Sequence, residues 1–398
     1  MARSSTALDA LPSPPPPQGV PKRPRNSPIF SYLPQSKTAL PQAPQMQQHA
    51  TAYPRGEGGM SYRPQATGYR LGPLRIPAAP HESNEVVPDL PRPEWKLMSL
   101  RPVREILSTK PTLEGAGVRL QRAFGFGKTK DFDPFLLLDD FRNEHPEDYL
   151  KGFPWHPHRG IETITYVLAG SVEHGDSLGN KGKMTAGDVQ WMTAGSGILH
   201  QEMPKGDPQG RMHGFQLWAN LPSHLKMTDP RYQDIPSAAI PEVTEDDGTT
   251  ARIIVGEFWG KKGPVEGVAA DPNYIDVSVP PNKKKRLKVE TTRNAFAYVF
   301  AGSGTFRDAS DPQAVLTESG ADPNAQPVYD ASNHSLVLFD RGDEIQVQAG
   351  PEGIRFLLVS GKPIEEPVAW YGPIVMNTQE QLRQAMTELQ TGDFIKHR

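Results

Sequence analysis

The chain has 398 residues, a formal net charge of −3 and no cysteine. This length allows two domains of ordinary size, and the charge argues against direct nucleic-acid binding. The lack of cysteine excludes disulfides, thiolate metal sites and iron–sulfur clusters, so any metal must be held by His, Asp or Glu. No run of about 18 apolar residues occurs, which predicts a protein without a membrane-spanning helix.

The first 97 residues have the composition of an unfolded segment. Residues 1 to about 95 hold 19 of the 42 prolines, and ten Lys or Arg stand against six Asp or Glu. Such a segment buries too little apolar surface to offset its ordering entropy, so we predict a disordered Pro/Gln/Ser-rich tail over 1–97. The sequence PKRPR at 21–25 fits a nuclear-import signal, or else solvated charge. The N-terminus lacks the apolar core of a secretory signal peptide, so we predict that the protein is located in the nucleus and/or the cytoplasm.

From residue 99 onward the chain consists of short alternating apolar runs separated by Gly, Pro, Asn and Asp. This spacing predicts an all-β sandwich or barrel. A linker-like stretch near residue 240 divides the runs into domains 98–240 and 241–398. The two parts also share a pattern, since TYVLAGS at 165–171 matches AYVFAGS at 297–303. We therefore predict two diverged copies of one β-barrel.

One helix is marked near the C-terminus, over 378–391. Thr378 and Gln381 have the spacing of a capping box, and Gly392 suits the C-terminal cap. Apolar residues then repeat along one helical face, which predicts packing against a barrel and no catalytic role. These residues are Leu382, Ala385, Met386 and Leu389.

Two pairs of metal-binding residue types follow the period of a β-strand. His156 and His158 are two residues apart, and His200 and Glu202 repeat this spacing. Side chains at i and i+2 of a strand project to the same face, so two adjacent strands would bring three imidazoles and a carboxylate together. This predicts a divalent transition-metal site in the first domain and leaves the second domain metal-free. A lone His inside a barrel is usually only hydrogen-bonded, and we interpret His174 and His213 as ordinary surface or core histidines.

The residue types alone leave the metal and two details of its site open. Imidazole and carboxylate suit several transition metals, although two vacant positions for substrate and dioxygen would favour iron over four-coordinate zinc. Residues 156, 158, 160 and 162 are expected to share one face of a continuing strand, so Glu162 could be a ligand in place of Glu202, or a base beside the metal that does not bind it. A ligating His also needs a partner for its second ring nitrogen. The candidates for that partner are Asp139, Asp140, Glu162 and Gln190.

Several long segments carry a resemblance to a known family. They are KDFDPFLLLDDF (130–141), GFPWHPHRGIETITYVLAGSVEHGDS (152–177), GDVQWMTAGSGILHQEMP (187–204), GFQLWANLP (214–222) and GKPIEEPVAWYGPIVMNT (361–378). With these, the chain resembles the pirin family, whose members have two tandem cupin barrels, a bicupin. The resemblance covers about three quarters of the chain and leaves the tail outside it.

The resemblance implies one iron ion, Fe(II) or Fe(III), in the first cupin. The residues that match the family's ligands are His156, His158, His200 and Glu202. The resemblance implies two possible functions. One is a quercetin 2,3-dioxygenase, which acts on a flavonol-like molecule and dioxygen. The other is a redox-sensitive nuclear coregulator, which binds a transcription factor. As an enzyme, the protein could use Glu202 as general base. We expect the protein to be a monomer. A cupin isomerase is a weaker alternative function. A cupin that has lost its activity and keeps only its fold is a further alternative, and the intact ligand set argues against it.

Overall fold

The computed structural model describes residues 98–307 and 330–397. The predicted tail and its basic cluster lie outside these residues. Within them, no helix has both the length and the apolar character needed to cross a membrane.

The described residues form mainly β-strands, with two α-helices, the first of a single turn, and three short 3-10 helical turns. The strands are β1 (Val103–Ser108), β2 (Lys110–Glu114), β3 (Val118–Phe124), β4 (Phe135–Asp140), β5 (Phe153–His158), β6 (Ile161–Ala169), β7 (Ser171–Asp176), β8 (Lys181–Thr185), β9 (Val189–Thr193), β10 (Ile198–Lys205), β11 (His213–Asn220), β12 (Arg231–Ile235), β13 (Glu242–Thr244), β14 (Thr250–Val255), β15 (Glu257–Phe258), β16 (Lys261–Lys262), β17 (Asn273–Val279), β18 (Lys284–Lys288), β19 (Asn294–Arg307), β20 (Asp330–Ser332), β21 (Ser335–Phe339), β22 (Glu344–Gly361), β23 (Ala369–Tyr371) and β24 (Ile374–Met376). The helices are α1 (Thr129–Phe132) and α2 (Gln379–Thr391).

The first barrel is made of two antiparallel sheets. The larger sheet has the order β12-β9-β6-β11-β4-β3-β2, and the smaller has the order β5-β10-β7-β8. The second barrel is built on one sheet with the order β1-β21-β19-β22-β17-β14-β13, to which β18 and β20 add at its long strands. Its interior is filled by apolar side chains. The predicted all-β fold with two cupin barrels is confirmed.

The repeated sequence pattern has a counterpart where the two barrels meet. Tyr166 on β6 donates a hydrogen bond to Asp276 on β17 at 2.8 Å, and Tyr298 on β19 donates one to Asp140 on β4 at 2.7 Å. These tyrosines occupy matching positions in TYVLAGS and AYVFAGS. Each barrel therefore offers a tyrosine to a buried aspartate of the other, as two related copies packed face to face would do.

At both ends of the described part of the chain, a segment that lies next to one barrel in sequence contacts the other barrel. Strand β1, which lies inside the predicted segment 98–240, pairs with β21 of the second barrel's sheet. At the other end, the backbone of Ile374 on β24 bridges to Arg159 of the first barrel. The boundary near residue 240 stays a prediction of where the chain passes between barrels.

The C-terminal helix forms as its local signals predict. The Thr378 hydroxyl accepts a hydrogen bond from the Gln381 amide, Gln381 completes the capping box, and Gly392 ends the helix in the left-handed conformation. Leu382 and Ala385 are buried against β23, β24 and the residues after the helix. The predicted short C-terminal helix is confirmed; it spans Gln379–Thr391, with Thr378 as its N-cap.

Candidate metal centre

Two neighbouring strands of the smaller sheet bring the predicted ligands together. Strand β10 pairs with β5 so that His200 faces His156 and Ile198 faces His158. Burial alternates along β10, with His200 and Glu202 both buried on the inward face. The period-2 spacing thus places the four predicted side chains inside the first barrel.

The three histidines form a compact cluster. One ring nitrogen from each of His156, His158 and His200 lies within 4.8 Å of the others, and the described residues contain one such cluster. The Nε2 atoms of His156 and His158 are 3.1 Å apart. Two nitrogens bound at right angles to one ion, each about 2.1 Å away, would be separated by about 3.0 Å. The cluster therefore fits two adjacent positions of a six-coordinate ion.

The protonation of the cluster also fits metal binding. The Nδ1 atom of His156 lies 2.8 Å from the Pro154 carbonyl, which can only accept, so Nδ1 carries the proton and Nε2 presents a lone pair. Burial lowers the pKa of His156 to about 4. Burial and the adjacent imidazoles hold the pKa values of His158 and His200 well below the usual 6.5. All three are neutral at pH 7, the form that binds metals.

His200 is the member with the greatest need for a further partner. Within the described part of the chain, neither of its buried ring nitrogens has a hydrogen-bond partner. A buried polar atom without a partner costs about 1–3 kcal/mol. A cation that accepts the lone pairs of the cluster would remove part of this cost, so the residues fit a bound metal.

Glu202 lies two residues after His200 on the same face of β10 and is not part of the 4.8 Å cluster. Its carboxylate is buried, and burial raises its pKa to about 7. The Thr165 hydroxyl, on β6 of the larger sheet, lies 3.4 Å from Glu202 Oε1 and 2.8 Å from Gln216 Oε1. The structure thus places Glu202 beside the histidines, and its role as a fourth ligand remains a prediction.

The alternative ligand Glu162 lies on a different sheet and a different face. Strand β5 ends at His158. The chain then turns at Gly160, which has a φ of +76°, and enters β6 of the larger sheet. Glu162 accepts a hydrogen bond from Thr193 at 2.8 Å. It is three residues from the inward Thr165, so its side chain points out of the barrel. The expectation of one strand running from His156 through Glu162 is wrong.

The predicted partners of the second imidazole nitrogens have other contacts. Asp139 pairs with Arg122, Asp140 with Arg142, Glu162 with Thr193, and Gln190 with His174 and Asp234. The partner that His156 uses is the Pro154 carbonyl, a backbone group that residue-type reasoning does not consider.

Two polar side chains near Glu202, those of Thr165 and Gln216, were not predicted from the sequence. Thr165 and Gln216 face each other across β6 and β11, and Gln190 lies beside Thr165 on β9. His174 lies opposite Glu202 on β7, buried and stacked on Tyr232 with ring centroids 5.8 Å apart. The alternation of ETITY at 162–166 could have placed Thr165 inside. His174 is a hydrogen-bonded interior residue, as interpreted.

Comparison with known proteins identifies the family. The family model for pirin matches residues 117–219, and that for the pirin C-terminal cupin domain matches residues 274–395. A pirin-like protein of Caulobacter vibrioides is 44% identical over 75% of this chain and 100% of its own length. Human pirin is 38% identical over 69% of this chain and 87% of its own.

A solved structure has the same fold. The crystal structure of quercetin 2,3-dioxygenase from Acinetobacter baumannii superposes with a TM-score of 0.65 at 29% identity, covering 74% of this chain and 99% of that one. The two family models together span more than half of the sequence, and the relatives are matched over most of their own length. The chain belongs to the pirin family.

Proposed function

We propose that the protein is an iron-dependent oxygenase of the quercetin 2,3-dioxygenase type, acting on flavonol-like substrates. The observation that carries this proposal is the cluster of three neutral imidazoles, of which those of His158 and His200 are buried, beside the buried carboxylate of Glu202. The similarity to the Acinetobacter baumannii quercetin 2,3-dioxygenase supports the reaction class.

Each residue of the site has a role in this proposal. His156, His158 and His200 would hold iron, with Glu202 as the fourth ligand. Bound iron would supply the one-electron chemistry that lets a flavonol react with dioxygen. Burial of His158, His200 and Glu202 limits the access of water to this side of the site, and the Thr165 hydroxyl lies 3.4 Å from the Glu202 carboxylate.

Oxygen uptake tests the proposal. The full chain is loaded with Fe(II) without oxygen and then mixed with quercetin in an oxygen electrode. We expect uptake that needs both iron and quercetin. Iron bound in a 1:1 ratio without uptake would contradict the oxygenase and favour a binding role.

Glu202 is positioned to serve as the general base for a substrate hydroxyl. For this role the carboxylate would detach from the metal and take the proton of the substrate hydroxyl within hydrogen-bond reach. Replacing it by glutamine, Glu202→Gln, keeps the size of the side chain and removes the basic oxygen. We expect kcat with quercetin to fall by about 10²–10⁴-fold while part of the iron stays bound.

The control for this variant is Glu173→Gln on the neighbouring strand β7. Glu173 is exposed and points away from the barrel interior, so its replacement should leave kcat unchanged. Wild-type turnover by Glu202→Gln, measured per bound iron, would exclude the base role.

The second candidate is a nuclear coregulator whose iron senses redox state and which binds a transcription factor without turnover. The similarity to human pirin and the basic cluster at 21–25 favour it. Redox control requires different partner affinities of the ferrous and ferric proteins. Equal binding of a nuclear transcription factor by both forms would contradict this candidate.

A further inference from the structure

The last part of the chain forms a strap over the first barrel. We call residues 366–395 the C-terminal strap; it contains β23, β24 and α2. It follows the second barrel in sequence, yet it contacts the first barrel beside the candidate ligand His158. The contact begins at Arg159, the residue that directly follows that ligand.

The backbone next to His158 is held by the strap. His158 is the last residue of β5, so β10 no longer supports the chain beyond it. The Val375 amide donates to the Arg159 carbonyl at 3.0 Å, and the Arg159 amide donates to the Pro373 carbonyl at 3.4 Å. A Cβ atom at Gly160 would lie 2.0 Å from the Val375 oxygen. The close approach of the two segments therefore requires glycine here.

The Arg159 side chain is enclosed by the strap. It is 2% exposed, and its guanidinium donates to the Glu388 carboxylate and to the Phe394 carbonyl, both at 2.7 Å. The charged group also lies 4.1 Å from the centre of the Phe394 ring. A buried charge is tolerated only when it is paired, so the position of Arg159 depends on the strap.

The strap also supports the His158 ring. Trp370 of β23 packs against Trp218 with ring centroids 6.1 Å apart, and Trp218 meets the His158 ring edge-on at 5.2 Å. The ammonium of buried Lys226 donates to the Gly160 carbonyl at 2.8 Å and to the Val375 carbonyl at 3.0 Å. His158 is thus restrained through its backbone neighbour and through its ring.

We propose that Arg159 is a positioning residue which, held by Glu388 and Phe394 of the C-terminal strap, fixes the ligand His158 for metal binding. The first barrel then depends on a segment that follows the second barrel for a complete metal site. This inference rests on the proposed metal site. Partners that orient ligands from outside the coordination sphere commonly change metal affinity by about 10–100-fold.

The test uses Co(II) as the probe metal in the full chain. Co(II) affinity is measured by competition with a chelator, and the visible absorption bands of the bound ion report ligand geometry. The first variant is Arg159→Lys, which keeps the charge but cannot reach both the Glu388 carboxylate and the Phe394 carbonyl oxygen. The second is Glu388→Gln, which removes the ion pair. The control is Glu380→Gln on the same helix, where an exposed carboxylate pairs with Arg383 at 2.6 Å.

We expect both strap variants to bind Co(II) at least about tenfold more weakly, with shifted bands, and the control to match wild type. If Arg159→Lys does not fold, Glu388→Gln alone decides the result. Wild-type affinity and bands in the strap variants would overturn the proposal, even if their melting temperatures fall. Wild-type protein that binds no Co(II) would overturn the metal site itself, which separates the two failures.

Discussion

Replacing both His156 and His158 by alanine is expected to abolish metal binding and quercetin-dependent oxygen uptake. Two of the three clustered imidazoles would be lost, leaving His200 and Glu202, which cannot fill enough positions around an ion. The bound metal is measured by elemental analysis after anaerobic loading. We expect a stoichiometric amount in wild type and almost none in the double variant.

Thermal stability gives a readout that does not depend on turnover. Metal binds the folded protein and not the unfolded chain, so free metal at 100 times Kd stabilises wild type by about 2.7 kcal/mol. For barrels of this size the melting temperature should rise by about 5–10 °C. The double variant should melt at the same temperature with and without metal.

The control for this pair is His213→Ala. His213 lies on β11, is partly exposed and faces Glu144 at 3.7 Å, outside the histidine cluster. It should keep the metal and its stabilising effect. Stoichiometric metal in the His156→Ala/His158→Ala protein would mean that the ion binds elsewhere in the chain.

The sequence predicted the histidine cluster because its signal is local. The spacing of His156 and His158, and of His200 and Glu202, follows the strand period, and two antiparallel strands suffice to join the pairs. The capping box of α2 is local in the same sense. Features that depend on neighbours within a few residues were therefore predictable.

The error at Glu162 has a physical reason that the sequence contains. Gly160 lets the chain turn with positive φ, so β5 and β6 belong to different sheets and the inward–outward alternation does not continue between them. A glycine between two strand-like runs signals such a turn. Extending the period of β5 past Gly160 placed Glu162 on the wrong face.

Contacts between distant segments could not be read from the sequence. Arg159 and Glu388 are 229 residues apart, and no periodicity connects them. The pairing of β1 with β21 in the other barrel's sheet is of the same kind. Such contacts depend on how the two barrels pack, which the pattern of either barrel alone does not determine.

Removing the buried carboxylate of Asp140 is expected to cause the largest loss of stability. Asp140 has no exposed surface; it pairs with Arg142 at 2.6 Å and accepts the Tyr298 hydroxyl of the other barrel at 2.7 Å. Asp140→Ala leaves the guanidinium of Arg142, whose side chain is only 15% exposed, without its counter-charge and the buried Tyr298 hydroxyl without an acceptor. Breaking a buried ion pair from one side costs about 3–5 kcal/mol.

The measurement is thermal and urea unfolding of metal-free protein, where the melting temperature should fall by about 10 °C. The control is Asp131→Ala, because Asp131 also pairs with an arginine, Arg104, at 2.6 Å but at the surface. An exposed pair contributes about 0–1 kcal/mol, so this variant should stay close to wild type. Equal losses from both variants would mean that burial does not decide the strength of these pairs.

The matching aspartate of the second barrel extends the prediction. Asp276 accepts the Tyr166 hydroxyl and pairs with Arg355 at 2.6 Å, but the Arg355 side chain is 38% exposed, against 15% for Arg142. Water can solvate Arg355 once its partner is removed, so Asp276→Ala should cost less than Asp140→Ala. A larger cost for Asp276→Ala would contradict this ranking, which rests on the greater solvent exposure of Arg355.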